Sequence, residues 1–186
     1  SDTPYLESME TNPINIYGQT KRNGERGVLA ENERATVVRV AWLYHTQGKN
    51  FLLTMLRLAE SHSTLRVVDD QYGAPTYVVS LARALDVLCQ QHLVGSPPYG
   101  VFHLPAGGYT SWHGFAQRIF EQRHLLTGQS APTVIGIPSS EYPTPAARPK
   151  YSVLSGDKSM TELGLSLPDW QDQLADALTT LYGPNA

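Results

Sequence analysis

The sequence holds 186 residues, 41% hydrophobic and 17% charged, with fourteen basic and seventeen acidic side chains for a formal net charge of −3. That composition builds a buried core and excludes a disordered chain, which is poor in apolar residues and high in net charge. The slight acidity argues against a nucleic-acid binder, and no apolar run approaches the ~18 residues that a bilayer-crossing helix needs.

The length suits one domain, or one and a fraction. The single cysteine, Cys89, rules out an intramolecular disulfide framework and fits a reducing cytoplasm. Residues 1–13 have neither the basic nor the apolar part of a signal peptide. Fifteen glycines and thirteen prolines point to a loop-rich α/β or α+β protein.

Asn12-Pro13 is a helix start signal, and a helix is predicted over residues 13–32, weakened by Gly24 and Gly27. TVVRVAW, residues 36–42, is β-branched and apolar, the pattern of a buried parallel strand. Asn50 caps a predicted helix over 51–62, in which Leu52, Met55, Leu56 and Ala59 recur at helical spacing. A short strand over 65–68 runs into the polar loop DDQYGAPT, residues 69–76. Thr76 is placed to cap a helix over 77–92. A strand over 101–105 ends at Gly107-Gly108, and Ser111 opens a helix to about residue 125. A strand over 133–137, a proline-studded loop over 138–149 and short helices near 157–163 and 168–182 complete the chain. Strands alternating with helices imply a mainly parallel sheet.

The most informative short motif is Tyr17-Gly-Gln-Thr-Lys21. Residues four apart share one helix face, so the phenol and the ammonium can meet. A nearby cation favours phenolate, and a phenol so tuned can exchange a proton with a carbonyl or alkoxide at neutral pH. Alone, the pattern also describes an ordinary exposed Tyr–Lys pair. Nothing matches G-x-G-x-x-G, a Walker loop or a G-x-S-x-G elbow. The six histidines include no H-E-x-x-H or H-x-x-x-H pair, so no metal is expected. His103 reads as a satisfied core residue, Cys89 as a buried structural thiol, and Asp69 and Asp70 as loop caps. Trp42 ends a strand, where open α/β sheets bind ligands, with core packing the equal alternative.

Taken together, the segments carry more than any one motif. PYLESMETNPINIYGQTK (4–21), VVRVAWLY (37–44), KNFLLTMLRLA (49–59), VVDDQYGAPTY (67–77), GVFHLPAGGYTSW (100–112), YPTPAARPKYSVL (142–154) and LPDW (167–170) follow one another in order. With them the chain resembles the dTDP-4-dehydrorhamnose reductase family, a branch of the extended short-chain dehydrogenases/reductases, over its C-terminal portion. The resemblance implies an α/β fold, with residues 1–45 the end of a Rossmann-like cofactor domain. Residues 46–186 would form a nucleotide-sugar domain, with 77–105 returning to the Rossmann-like sheet. It implies reduction of the C4 ketone of dTDP-4-dehydro-L-rhamnose by NADPH, or NADH in some members, in dTDP-rhamnose biosynthesis. Tyr17 would protonate the forming alkoxide, while Lys21 would tune that phenol and hold the nicotinamide ribose. Trp42 would pack on the sugar, and Gln71, Gly73 and Thr76 would border the nucleotide-sugar site. Arg148 would take the diphosphate, for which its planar fork is suited, and Asn50 would donate to phosphate. Family members carry a Gly-rich dinucleotide loop and the Thr/Ser of their catalytic trio ahead of the stretch matched here. The chain alone is therefore expected to be inactive, not to bind NADPH detectably, and to self-associate through an unpaired strand edge. The alternatives are a non-catalytic regulatory subunit like the β subunit of methionine adenosyltransferase, or a neighbouring nucleotide-sugar epimerase or dehydratase.

Overall fold

The computed structural model describes residues 3–95 and 97–184. The β-branched run Thr36–Arg39 forms β1. It pairs in parallel with β6, Gly100–His103, in a register from Thr36 opposite Gly100 to Arg39 opposite His103. The crossover between them includes α3, Val78–Val94. Leu81, Ala84 and Leu88 of that helix bury against Phe102 and Leu104, with Leu163, Leu165 and Leu167 closing this first core.

A second core gathers the remaining elements. Asn50 opens α2, Phe51–Leu58, by accepting the N–H of Leu53. The strand β3, Thr64–Val68, pairs in parallel with β8, Thr133–Ile137. Helix α4, Trp112–Thr127, starts on the Ser111 hydroxyl and stops at Gly128, whose φ of 70° suits a residue without a side chain. Helix α5 covers Trp170–Tyr182. Leu52, Leu65, Phe115, Ile119, Leu174 and Leu178 are buried together in this cluster, with Tyr44 and Tyr77 beside them. Among the described residues no helix is long and apolar enough to cross a membrane.

Helix α1, Ile16–Glu31, differs from the others in burying no residue. Its inner stripe, Gly18, Arg22, Glu25 and Leu29, is half-buried. It is held to β1 by a two-pronged ion pair, in which Arg39 Nη2 and Nε donate to Glu25 at 2.7 and 3.0 Å. Behind Arg39 lies His103, whose ring contacts the Tyr5 carbonyl at Nδ1 and Arg39 at Nε2, while its backbone N–H donates to Glu7. Burial lowers the His103 pKa, and the Arg39 guanidinium adds to that against the opposite pull of Glu7. His103 is thus the satisfied core residue expected.

Several expectations change. Helix α1 starts at Ile16, not at Pro13, because Asn15 is the residue in extended conformation that accepts the Gly18 N–H. Pro13 instead folds back over the first turn, where a side chain on Gly18 would meet it at 3.0 Å. The strand predicted over 36–42 ends at Arg39, since its last ladder bond is taken by Leu104. The chain then turns through Trp42, at φ 47°, into the two-residue β2, Leu43–Tyr44. The polar loop is more ordered than its composition suggested. It contains β4, Tyr72–Gly73, antiparallel to β7, Thr110–Ser111, and β5, Thr76–Tyr77, parallel to β2. Thr76 caps no helix, because α3 starts one residue later on Tyr77 without a side-chain cap. Cys89 is exposed, on the outer side of α3.

Candidate active site

Tyr17 and Lys21 stand one turn apart on the outer face of α1, both exposed, with the Tyr17 ring 72% open. No hydrogen bond or ion pair engages either side chain among the described residues. A phenol and an ammonium presented in this way can serve a carbonyl oxygen and a sugar hydroxyl together.

What surrounds them is set by Asn15. Its Oδ1 accepts the Gly18 N–H at 2.8 Å and caps α1, while its Nδ2 donates to the carbonyl of Ala147 at 2.9 Å, 132 residues away in sequence. The next residue is Arg148, exposed and without a hydrogen bond or ion pair among the described residues. Beyond Pro149 the strap is fastened again. The Tyr72 N–H donates to Lys150 O at 2.8 Å, and Ser152 donates to Tyr72 O through both its N–H and its hydroxyl at 2.9 Å. Further along, Tyr5 N–H reaches Val153 O and Ser155 N–H reaches Tyr5 O, each at 2.9 Å. One extended segment therefore links the tyrosine-bearing helix, the polar loop and the start of the chain. It brings Arg148 to the same end of the fold as Tyr17.

The polar loop presents Gln71, partly exposed, with no side-chain hydrogen bond among the described residues. Gly73 lies against the pyrrole part of the Trp42 indole. A methyl group there would collide with Cε2 and Nε1 and would sit 2.8 Å from Cδ2. On its other face Trp42 stacks on Trp112, ring centroids 3.5 Å apart and planes within 4°. Phe51 and Phe115 continue the aromatic column into the second core. Trp42 is therefore not a free platform. One face is stacked on Trp112 and the pyrrole part of the ring is closed off by Gly73, which leaves only part of the half-buried indole open. The left-handed backbone of a residue this bulky is a strained arrangement that the sandwich holds in place.

Two of the expected ligand contacts have other employment. Thr76 is fully buried. Its hydroxyl donates to Ala74 O at 3.1 Å and accepts the Ala106 N–H at 3.3 Å, which leaves no surface for a ligand. The Asn50 amide donates to the carbonyls of His45 and Gln47 while its oxygen caps α2, so both its ends are engaged within the fold. Asp69 and Asp70 act as loop caps. Asp69 accepts the Ser111 hydroxyl at 2.5 Å, and Asp70 accepts the N–H and hydroxyl of Ser139. Desolvation works to raise the Asp70 carboxyl, but those hydrogen bonds and the Lys150 charge outweigh it and hold it below the usual range. Burial pushes the Tyr44 hydroxyl well above the ordinary phenol value, and Tyr44 Oη has no hydrogen-bond partner among the described residues. Such a group keeps its proton, so Tyr44 is no rival to Tyr17 as an acid. Among the described residues no group of His, Cys, Asp and Glu is placed to hold a metal ion.

Sequence reasoning missed Asn15 and Trp112. A cap signal two residues ahead of Tyr17 pointed to the first. Nothing in spacing pairs Trp112 with a residue seventy positions earlier.

Residues 1–182 match the RmlD substrate binding domain. The chain belongs to that family. As a member of the RmlD substrate-binding family it is 40% identical to a dTDP-4-dehydrorhamnose reductase of Burkholderia thailandensis, over 91% of this chain and 59% of the relative. A dTDP-4-dehydrorhamnose reductase of Shigella flexneri is 38% identical, over 100% of this chain and 62% of the relative. Family members of known structure superimpose closely. A dTDP-4-dehydrorhamnose reductase of Clostridium acetobutylicum is 39% identical with a TM-score of 0.86, covering 97% of this chain and 61% of that one. The Bacillus anthracis enzyme, solved in complex with NADP, is 33% identical with a TM-score of 0.85, over 95% and 59%. The chain thus spans about three fifths of the length of the relatives it matches.

Proposed function

We propose that this chain belongs to a dTDP-4-dehydrorhamnose reductase, in which it binds the nucleotide sugar and supplies the proton for reduction of the C4 ketone. The relatives named above carry that activity in their names. The observation that carries the reading for these residues is the pairing of Tyr17 and Lys21, outward on α1 and tied through Asn15 and Ala147 to Arg148. Proton donor and anion-binding cation are thereby held at one end of the fold.

The residues suit a nicotinamide cofactor, NADPH or NADH, on the side where Tyr17 and Lys21 are open. A hydroxyl and an ammonium one turn apart fit a ribose diol. When bound, the reduced nicotinamide supplies the hydride. Tyr17 Oη gives its proton to the oxygen that was the C4 carbonyl, and Lys21 Nζ stabilises the phenolate left behind. Arg148 pairs with the diphosphate through its planar fork. Gln71 borders the sugar, and Trp42 meets it with the open part of its indole, fixed by Gly73 and Trp112. Thr76 and Asn50 shape the loop and the start of α2 without touching the ligand. The proposed division sets a Rossmann-like part (1–45, with 77–105) against a nucleotide-sugar part (46–76 and 106–186); the parallel pairing of β1 with β6 across α3 supports the first part, while Leu163, Leu165 and Leu167 pack onto it from the second. We place the protein in the cytoplasm, where its nucleotide-sugar substrate is made and used, and expect copies of it to associate.

The regulatory-subunit reading and the epimerase or dehydratase reading find no specific support in these residues. The test is loss of nicotinamide absorbance on adding dTDP-4-dehydro-L-rhamnose to a protein that carries this chain at the full length of its relatives. Formation of dTDP-L-rhamnose is expected. No turnover with either nicotinamide would overturn the proposal.

A further inference from the structure

The backbone on either side of Arg148 is tied to the rest of the fold. Pro149 follows it, and a residue before proline is driven out of the helical region into extended conformations. On one side, the Ala147 carbonyl is held by Asn15 Nδ2 at 2.9 Å. On the other, the Lys150 carbonyl is held by the Tyr72 N–H at 2.8 Å. Only Arg148 and Pro149 lie between these two anchors. The Tyr72 anchor belongs to a backbone ladder. The Asn15 anchor is a single side chain, and the same side chain caps the helix that carries Tyr17 and Lys21.

The geometry points to Asn15 as a positioning residue. It sets the distance and direction between the Arg148 guanidinium and the Tyr17 hydroxyl by gripping the loop of one and the helix of the other. This rests on the reading of Arg148 as the diphosphate ligand. A backbone held before the ligand arrives loses less freedom on binding, so by fixing the main chain beside Arg148 Asn15 strengthens nucleotide binding without touching the nucleotide. The two ends of the asparagine amide serve different partners, so the roles can be separated. Asp at this position caps a helix as well as Asn does, but it has no N–H for Ala147 and sets a negative oxygen against that carbonyl. Ser also caps well and is too short to span to the loop.

The probe is dTDP, titrated calorimetrically into a protein carrying this chain at the full length of its relatives. Asn15→Asp and Asn15→Ser are each expected to weaken dTDP about 3–10-fold, the range of one hydrogen bond's net worth. In an Arg148→Ala background the same substitutions are expected to add less than twofold, because residues acting through each other are not additive. Backbone NMR order parameters of residues 144–148 are expected to fall in both variants, while the amides of residues 16–31 keep their protection from exchange. A helix-stability role would instead loosen residues 16–31 and act alike in both backgrounds. Additive effects on dTDP binding, affinity indifferent to Arg148, or unchanged backbone order over 144–148 would each overturn the inference and leave the reductase reading standing. Coupled dTDP binding in a protein that reduces no sugar would support the inference and sink the reductase reading.

Discussion

Gly73→Ala tests the aromatic sandwich at its tightest point. Gly73 does not use a left-handed backbone, so alanine is acceptable to the chain itself, and the whole penalty comes from the added methyl. That methyl would overlap Cε2 and Nε1 of an indole whose opposite face rests on Trp112 at 3.5 Å. The ring cannot retreat, so either β4 moves away from β7 or Trp42 leaves its stack. Forcing a methyl into such a contact costs about 1–3 kcal/mol. Losing the indole stack adds about 0.5–1.5 kcal/mol. Alanine returns about 0.4–1 kcal/mol by narrowing the unfolded ensemble. The net expectation is a destabilisation of about 0.5–4 kcal/mol. Denaturant unfolding measures it, and near-ultraviolet circular dichroism follows the coupled indoles. A cycle with Trp42→Ala makes the test specific, since once the indole is gone Gly73→Ala should cost less than about 0.5 kcal/mol. A stable Gly73→Ala protein with an unchanged aromatic spectrum, or strict additivity with Trp42→Ala, would refute the sandwich.

Tyr17→Phe in the full-length protein should lower kcat roughly 10²–10⁴-fold with little change in KM for the nucleotide sugar, while Arg148→Ala should raise KM more than it lowers kcat; steady-state kinetics of the two variants side by side decide this, and near-full turnover by Tyr17→Phe would remove Tyr17 as the acid. Thr76→Val keeps the buried volume but strips the Ala106 N–H of its acceptor, for a loss of about 1–3 kcal/mol in chemical denaturation. The lowered pKa of His103 predicts the sign of a pH effect. The unfolded chain takes up a proton near the ordinary value of 6.5 while the native state resists it, so stability is full above that pH and falls as pH drops toward the lower native value. Melting temperatures across that window should decline less in His103→Gln, and parallel declines would show that the histidine is not responsible.

The secondary structure was readable wherever a local rule sufficed. The strand over 133–137 follows from its own β-branched pattern, and the Ser111 and Asn50 caps from side chains that bond three residues ahead. Where the partner is remote, the pattern was silent. TVVRVAW continues to read as strand through Trp42, but the ladder ends when β6 runs out at His103, a limit set by a segment sixty residues away. Thr76 had the composition of a cap, yet its hydroxyl is drawn inward by the Ala106 N–H. Tyr17 and Lys21 were legible as a one-turn pair on a helix, and Arg148 only through the family resemblance. Their mutual placement was not, because it depends on an amide–carbonyl bond between Asn15 and Ala147. Trp42 was recognised as important, but its orientation is set by Gly73 and Trp112 together.

Helix α1 has no residue in either apolar core, and its hold on the fold is a polar clamp at Glu25 and a tether at Asn15. In a hierarchy of local openings, a segment with so little apolar burial separates from the rest at a lower free energy than the cores themselves. The roles proposed for Tyr17 and Lys21 would place their chemistry on a helix that buries no residue. A nucleotide sugar that bridges Tyr17 and Arg148 would act as a mass-action brace for that helix. Ligand should slow exchange in residues 16–31 far more than in α4 or α5, so that substrate binding and completion of the fold become, for this helix, one equilibrium.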